Sequence, residues 1–420
     1  MEKFVVETSP NLEGSLRVSG AKNSVLIIMA ASLLAEGECV IEDVPDLLDV
    51  HVMIDLLRSL GSEVNYDAQK EQLRTRVMDA TITDASYELT NRMRASIVVM
   101  GPLLARRKRA NVALPGGCPI GARPIDLHLK GFRRLGVNVE IGHGSVEGVF
   151  EDHMIGNNIY LDFPSVGATE NILMAATLAK GTTTIENAAQ EPEITDLASF
   201  LTKMGAKISG AGTSTIRITG VERLVGVRHQ VIPDRIEAGT YMIAAAITKS
   251  KIFIDNVVPT HLRPLISKLE EAGVIVTPQA NGLVVDALEG YTGVDITTLP
   301  YPGFPTDLQA QFMVMLTVCE GLHTVRETIF ENRFMYVNEL MRMGAKIRID
   351  GSSAMVKGVS HLEGAQVRST DLRAGSALIL AGLVATGTTE ISEIYHIDRG
   401  FVSIEKKLQG IGANIRRVSI

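Results

Sequence analysis

The sequence LTKMGAKIS at Leu201–Ser209 returns almost unchanged as LMRMGAKIRI at Leu340–Ile349. In both segments an apolar helical pattern ends just before a glycine, and alternating apolar residues follow. Glycine after the last helical turn is typical of a helix C-cap, because it adopts left-handed backbone angles without a steric penalty. Alternation with a period of two indicates a strand. Each segment therefore predicts a helix that ends at a glycine and leads into a strand.

The same pattern occurs six times along the 420 residues, and the other four segments read LLRSLGSEV, FRRLGVNVEI, LEEAGVIV and LQGIGANIRRV. The glycines are 75, 69, 68, 71 and 68 residues apart, at Gly61, Gly136, Gly205, Gly273, Gly344 and Gly412. This spacing predicts six repeats of about 70 residues, most simply three in each of two domains. We expect residues 22–230 to form the first domain, and residues 1–21 with 231–420 to form the second. The strand around Phe4–Thr8 would complete the second domain.

Each repeat also contains an upstream helix that is apolar nearly all round. GAKNSVLIIMAASLLAEGECVIEDV and TDLRAGSALILAGLVATGTTEISEI are examples, in which a small or polar cluster opens an alanine-rich helix that leads to a strand. A helix without a polar face is buried inside its domain. Because two helices alternate with strands in every repeat, the sequence predicts an α/β fold.

The composition narrows the classes of function. The chain is 45% hydrophobic, as globular proteins are, and its net charge of −7 disfavours nucleic-acid binding, RNA-end processing included. The cysteines Cys39, Cys118 and Cys319 are too few for a disulfide framework and fit a reducing cytoplasm. The sequence shows no signal peptide, no membrane-spanning run and no metal-ligand spacing. We therefore expect no metal, no cofactor, no nucleic acid and no membrane insertion.

Polar and charged residues lie where the buried helices start. Lysine or arginine there is unfavourable by roughly a few tenths of a kcal/mol, because a helix N-terminus is already positive. A bound polyanion would reverse this effect, since backbone N–H groups and cations would bind it together. Alternatively, these side chains reach solvent or pair with Asp234 and Asp371. The helix starts carry Lys22 with Asn23, Arg94, Ser165 with Thr169, Arg235, Thr306 with Asp307, and Asp371 with Arg373.

The loop Pro115–Asp126 (PGGCPIGARPID) carries a thiol in a sequence too rich in glycine and proline for a helix or strand. Arg123 follows Cys118 by five residues and would favour the thiolate, which is the reactive form of the side chain. A glycine-rich turn that happens to contain a cysteine would explain the same residues.

The loops after the later strands of the repeats form a second polar set. In α/β proteins, ligands bind where such loops and helix starts gather. The loops carry Asp49, Cys118, Arg123, Asp126, Glu191, Glu193, Arg263, Arg333, Asp398 and Arg399. If both domains turned these faces toward each other, one cleft would suit a nucleotide-linked sugar and a phosphorylated carboxylic acid. Its cations would be Lys22, Arg94, Arg123, Arg333, Arg373 and Arg399.

Asp307 is the best candidate for a general base, since it follows the irregular segment PGFPT. Surrounding cations would stabilise its charged form and make it a weak base until a substrate neutralises them. Alternatively, Thr306 or Asp307 is only the N-cap of the next helix. Asp371 has the same two interpretations.

Eight motifs, in order, resemble those of the enolpyruvyl transferase family: GAKNS, RMRAS, GGCPIGARPID, SVGATEN, PGFPTDLQAQ, ENRFM, TDLRA and HIDRG. They cover essentially the whole chain, and the members that use UDP-N-acetylglucosamine are the most similar. The resemblance implies a two-domain inside-out α/β barrel with the active site closing between the domains. It also implies transfer of the enolpyruvyl group of phosphoenolpyruvate to the 3-hydroxyl of UDP-N-acetylglucosamine, by addition and then elimination of phosphate. That reaction is the first committed step of peptidoglycan synthesis.

The resemblance further implies roles for individual residues. Cys118, on a mobile lid, would donate a proton to phosphoenolpyruvate and be alkylated by fosfomycin. Lys22, Arg123 and Arg399 would hold phosphoenolpyruvate, and Asp307 would accept the proton of the sugar hydroxyl. The remaining substrate contacts would come from Asn23, Arg94, Arg123, Pro124, Ile125, Asp126, Leu127, Ser165, Val166, Ile329, Arg333 and Arg373.

One departure and two rival functions qualify this interpretation. Phe163–Pro164 stand where some relatives place a lysine for the diphosphate. The shikimate-pathway transferase shares the fold, but its Asn-Ala-Gly-Thr-Ala type of helix start is replaced here by RMRAS. A non-catalytic sensor of nucleotide sugars would be expected to have lost Lys22, Cys118, Asp307 or Arg399, and all four are present.

Overall fold

The computed structural model describes residues 2–114 and 125–419, except for the side chain of Arg94. These residues form two compact units. The first unit contains residues 20–114 and 125–232, and the second contains residues 2–19 and 233–419. The predicted sites Cys118, Arg123 and Pro124 lie outside the described residues.

The first unit alternates helices with small sheets. Its described helices are α1 (Lys22–Ala31), α2 (Leu48–Ser59), α3 (Tyr87–Arg92), α4 (Met100–Arg107), α5 (Asp126–Arg134), α6 (Val166–Ala176) and α7 (Pro192–Lys203). A 3-10 helix at Arg94–Val99 precedes α4, and another at Ser32–Leu34 follows α1. Almost every residue of α1 and α6 is buried, as the all-round apolar pattern predicts.

Three sheets accompany these helices, each built around an antiparallel hairpin. In spatial order, the strands of the first sheet are Arg228–Gln230, Glu38–Glu42, Gln72–Val77 and Ser62–Asp67. Those of the second are Arg109–Ala113, Ser145–Val149 and Asn138–Gly142. Those of the third are Asn158–Tyr160, Thr182–Glu186, Thr215–Thr219 and Lys207–Ser209. A short parallel pair joins Ala35–Glu36 to Leu224–Val225.

The second unit repeats this plan. Its described helices are α8 (Arg235–Ile247), α9 (Arg263–Glu271), α10 (Gln309–Thr317), α11 (Val337–Arg342), α12 (Leu372–Val384), α13 (Tyr395–Asp398) and α14 (Ile404–Gly410), with 3-10 helices at Pro259–Leu262 and Thr306–Leu308. In spatial order, the strands of its first sheet are Gln366–Arg368, Thr388–Ser392, Glu2–Glu7 and Ile415–Ser419. Those of its second sheet are Ile275–Gln279, Gly282–Asp286, Lys251–Asp255 and Glu13–Arg17. Those of its third sheet are Ile296–Thr297, Leu322–Arg326, Ser353–Lys357 and Lys346–Asp350. Leu362–Glu363 pairs with Ala385–Thr386.

The second unit is an inside-out arrangement, with helices within and sheets around them. Helices α8, α10 and α12 pack against one another, and each also contacts a different sheet. All nine residues of α10 are buried. The buried apolar side chains of the three helices belong to one continuous core. Burial of this surface is the main favourable term in folding, at about 25 cal/mol per Å² of apolar area.

The repeat predicted from sequence is confirmed at its six glycines. All six have φ between +84° and +111°, the left-handed region in which a C-cap residue ends a helix. In the described part of the chain no helix is long and apolar enough to cross a membrane.

Two glycines at the end of α14 provide a matched test of this cap. Gly412 has φ +95° and Gly410 is the last helical residue, and an added Cβ would meet no atom within 4 Å at either position. We expect Gly412→Ala to lower the free energy of unfolding by about 1 kcal/mol, because alanine is strained at positive φ. Gly410→Ala should cause no loss. Urea unfolding followed by circular dichroism measures both, and an equal loss in the two variants would contradict the cap.

Candidate active site

In the second unit, Asp307 lies between two arginine side chains. Its Oδ1 accepts a hydrogen bond from Arg333 Nη2 at 3.0 Å, and its Oδ2 accepts one from Arg373 Nη2 at 2.9 Å. Arg333 and Arg373 are only 3% and 5% exposed, whereas the Asp307 side chain is 26% exposed. Hydrogen bonds between ionised groups are about twice as strong as neutral ones. The site therefore presents a partly exposed carboxylate fixed on two buried cations.

The interpretation of Thr306 or Asp307 as an N-cap is wrong. Both residues lie in a 3-10 turn, Thr306–Leu308, that precedes α10. The N-cap position of α10 is Leu308, and no side chain caps the helix there. Thr306 Oγ1 instead donates to Glu327 Oε2 at 2.9 Å. The helix therefore begins at Gln309, and the Asp307 carboxylate contacts Arg333 and Arg373.

Asp371, unlike Asp307, is the N-cap of its helix. Its Oδ1 accepts hydrogen bonds from the backbone N–H groups of Arg373 at 2.9 Å and Ala374 at 3.1 Å. This cap fixes the first turn of α12, from which the Arg373 side chain extends to Asp307. The two acidic residues thus have different tasks: Asp371 caps the start of α12, and Asp307 contacts two cations.

Glu327 is a residue that the sequence analysis missed. It is 3% exposed, and its Oε1 accepts hydrogen bonds from the backbone N–H groups of Ile329 at 2.8 Å and Phe330 at 3.1 Å. With the bond from Thr306, this carboxylate ties the turn before α10 to the loop that carries the half-buried Ile329. Its position directly after the strand Leu322–Arg326 is a sequence signal that could have identified it.

Arg399 is half-buried in the second unit, directly after α13. It is close enough to His396 to affect that side chain. The pKa of His396 is lowered, chiefly because burial disfavours the charged imidazole and also because Arg399 is positive. His396 therefore remains neutral at pH 7 beside this cation.

In the first unit, Lys22 is the first residue of α1 and is paired with a carboxylate. Its Nζ lies 2.7 Å from Asp49 Oδ2, and both residues are buried. Lys22 is therefore buried and paired with Asp49, so the expectation that it reaches solvent is wrong. The same holds for the guanidinium of Arg373, which is buried and paired with Asp307.

A network behind α1 holds the start of this helix. The Ser24 hydroxyl donates to Asp196 Oδ2, and His229 Nε2 lies 2.8 Å from Asp196 Oδ1. Lys203 Nζ lies 3.0 Å from His229 Nδ1. Because an ammonium group is only a donor, Nδ1 accepts, and the ring proton on Nε2 is donated to Asp196. The sequence analysis missed Asp196, which ties α1 to α7 and to the strand that contains His229.

The other predicted residues of the first unit lie at helix starts. Asn23 is exposed near the start of α1, and Asp126 is exposed at the start of α5, with Ile125 and Leu127 half-buried beside it. Ser165 caps α6, since its hydroxyl accepts from the Ala168 N–H at 3.4 Å. The half-buried Val166 is the first residue of α6. Convergence of these residues with those of the second unit on one cleft stays a prediction.

Three glutamates, Glu170, Glu191 and Glu193, lie near one another in the first unit. Glu170 is 3% exposed, and its pKa is raised well above the ordinary value, chiefly by burial and further by the negative charges of Glu193 and Glu191. Within residues 2–114 and 125–419, no group of three or more His, Cys, Asp or Glu side chains could hold a metal ion.

The chain is similar along its whole length to enolpyruvyl transferases. The family model described as EPSP synthase (3-phosphoshikimate 1-carboxyvinyltransferase) matches residues 6–408. UDP-N-acetylglucosamine 1-carboxyvinyltransferase 1 of Caldanaerobacter subterraneus is 58% identical over 99% of both chains. UDP-N-acetylglucosamine 1-carboxyvinyltransferase 2 of Carboxydothermus hydrogenoformans is 56% identical over 100% of both.

Solved structures show the same fold. The enolpyruvyl transferase NikO from Streptomyces tendae matches with a TM-score of 0.88 at 26% identity, over 100% of this chain and 99% of its own. EPSP synthase from Acinetobacter baumannii matches with a TM-score of 0.77 at 17% identity, over 100% of both chains. The predicted α/β inside-out fold is therefore confirmed.

The raised pKa of Glu170 predicts a pH-dependent effect of Glu170→Gln. The unfolded carboxyl releases its proton near pH 4.5, whereas the folded one retains it to higher pH, so the group lowers stability increasingly as pH rises between these two values. We expect Glu170→Gln to raise the thermal midpoint by about 2 °C or more at pH 8 and to change it little at pH 4. Calorimetry at both pH values measures the shift. The exposed Glu222→Gln is the control, and a shift of the same size at both pH values would contradict the assignment.

The thiols differ in their expected reactivity. Cys39 and Cys319 are buried, and burial is the main reason that the pKa of each thiol is raised to about 11. At pH 7 only about one in ten thousand of such groups is a thiolate. We expect iodoacetamide to modify Cys118 alone in the native protein and all three cysteines after unfolding. Peptide mass spectrometry identifies the modified residues, and native labelling of Cys39 would contradict this assignment.

Proposed function

Because the chain belongs to the EPSP synthase family of enolpyruvyl transferases, we propose that it transfers the enolpyruvyl group of phosphoenolpyruvate to the 3-hydroxyl of UDP-N-acetylglucosamine. The observation that carries this proposal is the 58% identity, over 99% of both chains, to a relative named for that reaction. The acceptor named for the family model is instead 3-phosphoshikimate. The relatives at 54% to 58% identity favour the nucleotide sugar, since all three are named for it.

Asp307 is the proposed base for the addition step. It accepts the proton of the sugar hydroxyl while the hydroxyl oxygen bonds to the carbon that bears the phosphate. Its two arginine contacts, at 3.0 and 2.9 Å, stabilise the carboxylate and weaken it as a base in the free enzyme. A substrate anion that draws Arg333 or Arg373 away would strengthen it. Binding of both substrates thereby switches on proton transfer.

Cys118 is the proposed acid of the same step. Its thiol gives a proton to the methylene carbon of phosphoenolpyruvate, which becomes a methyl group. In the elimination that follows, one methyl proton returns to the Cys118 thiolate and the carbon–oxygen bond to phosphate breaks. The departing phosphate takes that bonding pair, and the double bond of the enolpyruvyl ether forms. Proton transfer by a positioned side chain contributes about 10²- to 10⁴-fold to a rate.

Lys22, Arg123 and Arg399 are proposed to hold the phosphate and carboxylate of phosphoenolpyruvate. Lys22 suits this role because the bond of 2.7 Å to Asp49 fixes its ammonium group at the start of α1, where backbone N–H groups also favour an anion. Cations fixed in advance stabilise charge that develops during the reaction. The nucleotide sugar would contact Asn23, Arg94, Arg123, Pro124, Ile125, Asp126, Leu127, Ser165, Val166, Ile329, Arg333 and Arg373.

The proposed reaction carries wider consequences for the cell. It would supply the first committed step of peptidoglycan synthesis in the cytoplasm and so serve cell-wall formation, cell shape and division. Fosfomycin would inactivate the enzyme by alkylating Cys118. The proposed chemistry uses the side chains named above and needs no cofactor.

Phosphate release from phosphoenolpyruvate tests the proposal. With UDP-N-acetylglucosamine as acceptor we expect release by the native protein and loss of at least about 10²-fold in Cys118→Ala and Asp307→Ala. Asp286→Asn is the matched control, because Asp286 is a carboxylate of the same unit that pairs with the exposed Lys251. It should keep full activity.

The acceptor separates the alternatives. Release with shikimate 3-phosphate and not with the nucleotide sugar would establish the shikimate-pathway reaction instead. Tight binding of UDP-N-acetylglucosamine without release from either acceptor would indicate a sensor.

A further inference from the structure

Arg417, in the strand Ile415–Ser419, holds Asp398 by a bidentate ion pair. Its Nη1 donates to Asp398 Oδ2 at 3.0 Å, and its Nη2 donates to Asp398 Oδ1 at 2.5 Å. Two parallel bonds between a planar guanidinium and a planar carboxylate fix orientation as well as distance. Asp398 therefore cannot rotate without breaking one of the two bonds.

Three further residues fix the guanidinium itself. Arg417 Nε donates to Glu405 Oε1 at 3.2 Å, and Nη1 donates to Glu2 Oε2 at 3.0 Å. The Phe4 ring lies against it, with 4.9 Å between Cζ and the ring centroid. Phe4 is fully buried and is the register partner of Arg417 in the adjacent strand. Sheet pairing, a stacked ring and three carboxylates thus hold the group in one place.

Asp398 directly precedes Arg399, the residue proposed to bind phosphoenolpyruvate. It ends α13 (Tyr395–Asp398), a helix of only four residues. A single turn is not stable by itself, because forming it fixes several dihedral angles for one hydrogen bond. Its position depends on tertiary contacts, which include the packing of the buried Ile397 and the ion pair between Asp398 and Arg417.

We propose that Arg417 is a positioning residue for the substrate anion: through Asp398 it sets the backbone from which the Arg399 side chain reaches phosphoenolpyruvate. The inference rests on the proposed function, in which Arg399 binds that substrate. Arg417 acts only through Asp398 and is itself occupied by protein side chains. A change of about 1 Å in the place of a substrate-binding group can cost on the order of 10²-fold, so a loosened α13 would weaken binding measurably.

Steady-state kinetics of Arg417→Lys, Arg417→Gln and Asp398→Asn test this inference. Phosphate release is measured first with phosphoenolpyruvate varied at saturating UDP-N-acetylglucosamine, and then with UDP-N-acetylglucosamine varied at saturating phosphoenolpyruvate. We expect the KM for phosphoenolpyruvate to rise about tenfold in all three variants, while the KM for the nucleotide sugar stays within about twofold. Arg417→Lys should not rescue binding, because a single ammonium group cannot make the bidentate pair.

The neighbouring Arg416 provides the matched control. It lies in the same strand, its side chain is 55% exposed, and its Nη1 pairs with Glu7 at 3.3 Å. Arg416→Gln should leave both KM values unchanged. The double variant Asp398→Asn with Arg417→Gln should be no worse than either single variant, because both changes break the same contact.

The outcomes separate this inference from the proposed function. An unchanged KM for phosphoenolpyruvate in Arg417→Lys and Asp398→Asn overturns the inference, as does an equal rise for both substrates, which would indicate a general loss of structure. If Arg417→Gln fails to fold in a thermal scan, the other two variants decide the question. If Arg399→Lys leaves that KM unchanged in an active enzyme, the inference fails together with the role of Arg399, whereas the proposed reaction stands. If the native protein releases no phosphate, the proposed function itself fails.

Discussion

Complete burial of the inner helices determines where polar chemistry can occur in this protein. In the second unit α8, α10 and α12 pack against one another beneath the sheets, and most of the side chains between them are apolar. A charge on such a side would lose its hydration at a cost of several kcal/mol. Charged groups are therefore favoured at helix ends, and Lys22, Asp307 and Arg373 all lie at or just before helix starts.

The charges at these starts are already compensated by carboxylates. Lys22 contacts Asp49, and Arg373 contacts Asp307. Removal of one member of a buried ion pair is expensive, since it leaves the other charge desolvated and unpaired. Loss of Asp49 or Asp307 would therefore leave a buried cation unpaired, so each carboxylate stabilises the helix start that it contacts.

Local signals in the sequence predicted the architecture, whereas the site required contacts that no local pattern encodes. A capping glycine and an all-apolar helix are legible within about ten residues, and the structure confirms both. The Asp307 cluster joins residues 26 and 66 positions apart, and the sequence around Asp307 fits an N-cap equally well. Asp196 and Arg417 were missed because a contact between distant elements leaves no periodicity, whereas Glu327 was missed although it directly follows a strand. The roles of the residues in the glycine-rich loop stay a prediction.

The strand Glu2–Glu7 lies between Thr388–Ser392 and Ile415–Ser419, at the centre of its sheet. During synthesis on the ribosome this strand emerges before residues 20–232, and both of its partners emerge after them. Residues 20–232 can fold as a unit while translation of the partner strands continues. The early strand must stay unpaired throughout that interval. A cell that produces this protein has an exposed β-segment to protect until Thr388–Ser392 and Ile415–Ser419 are made.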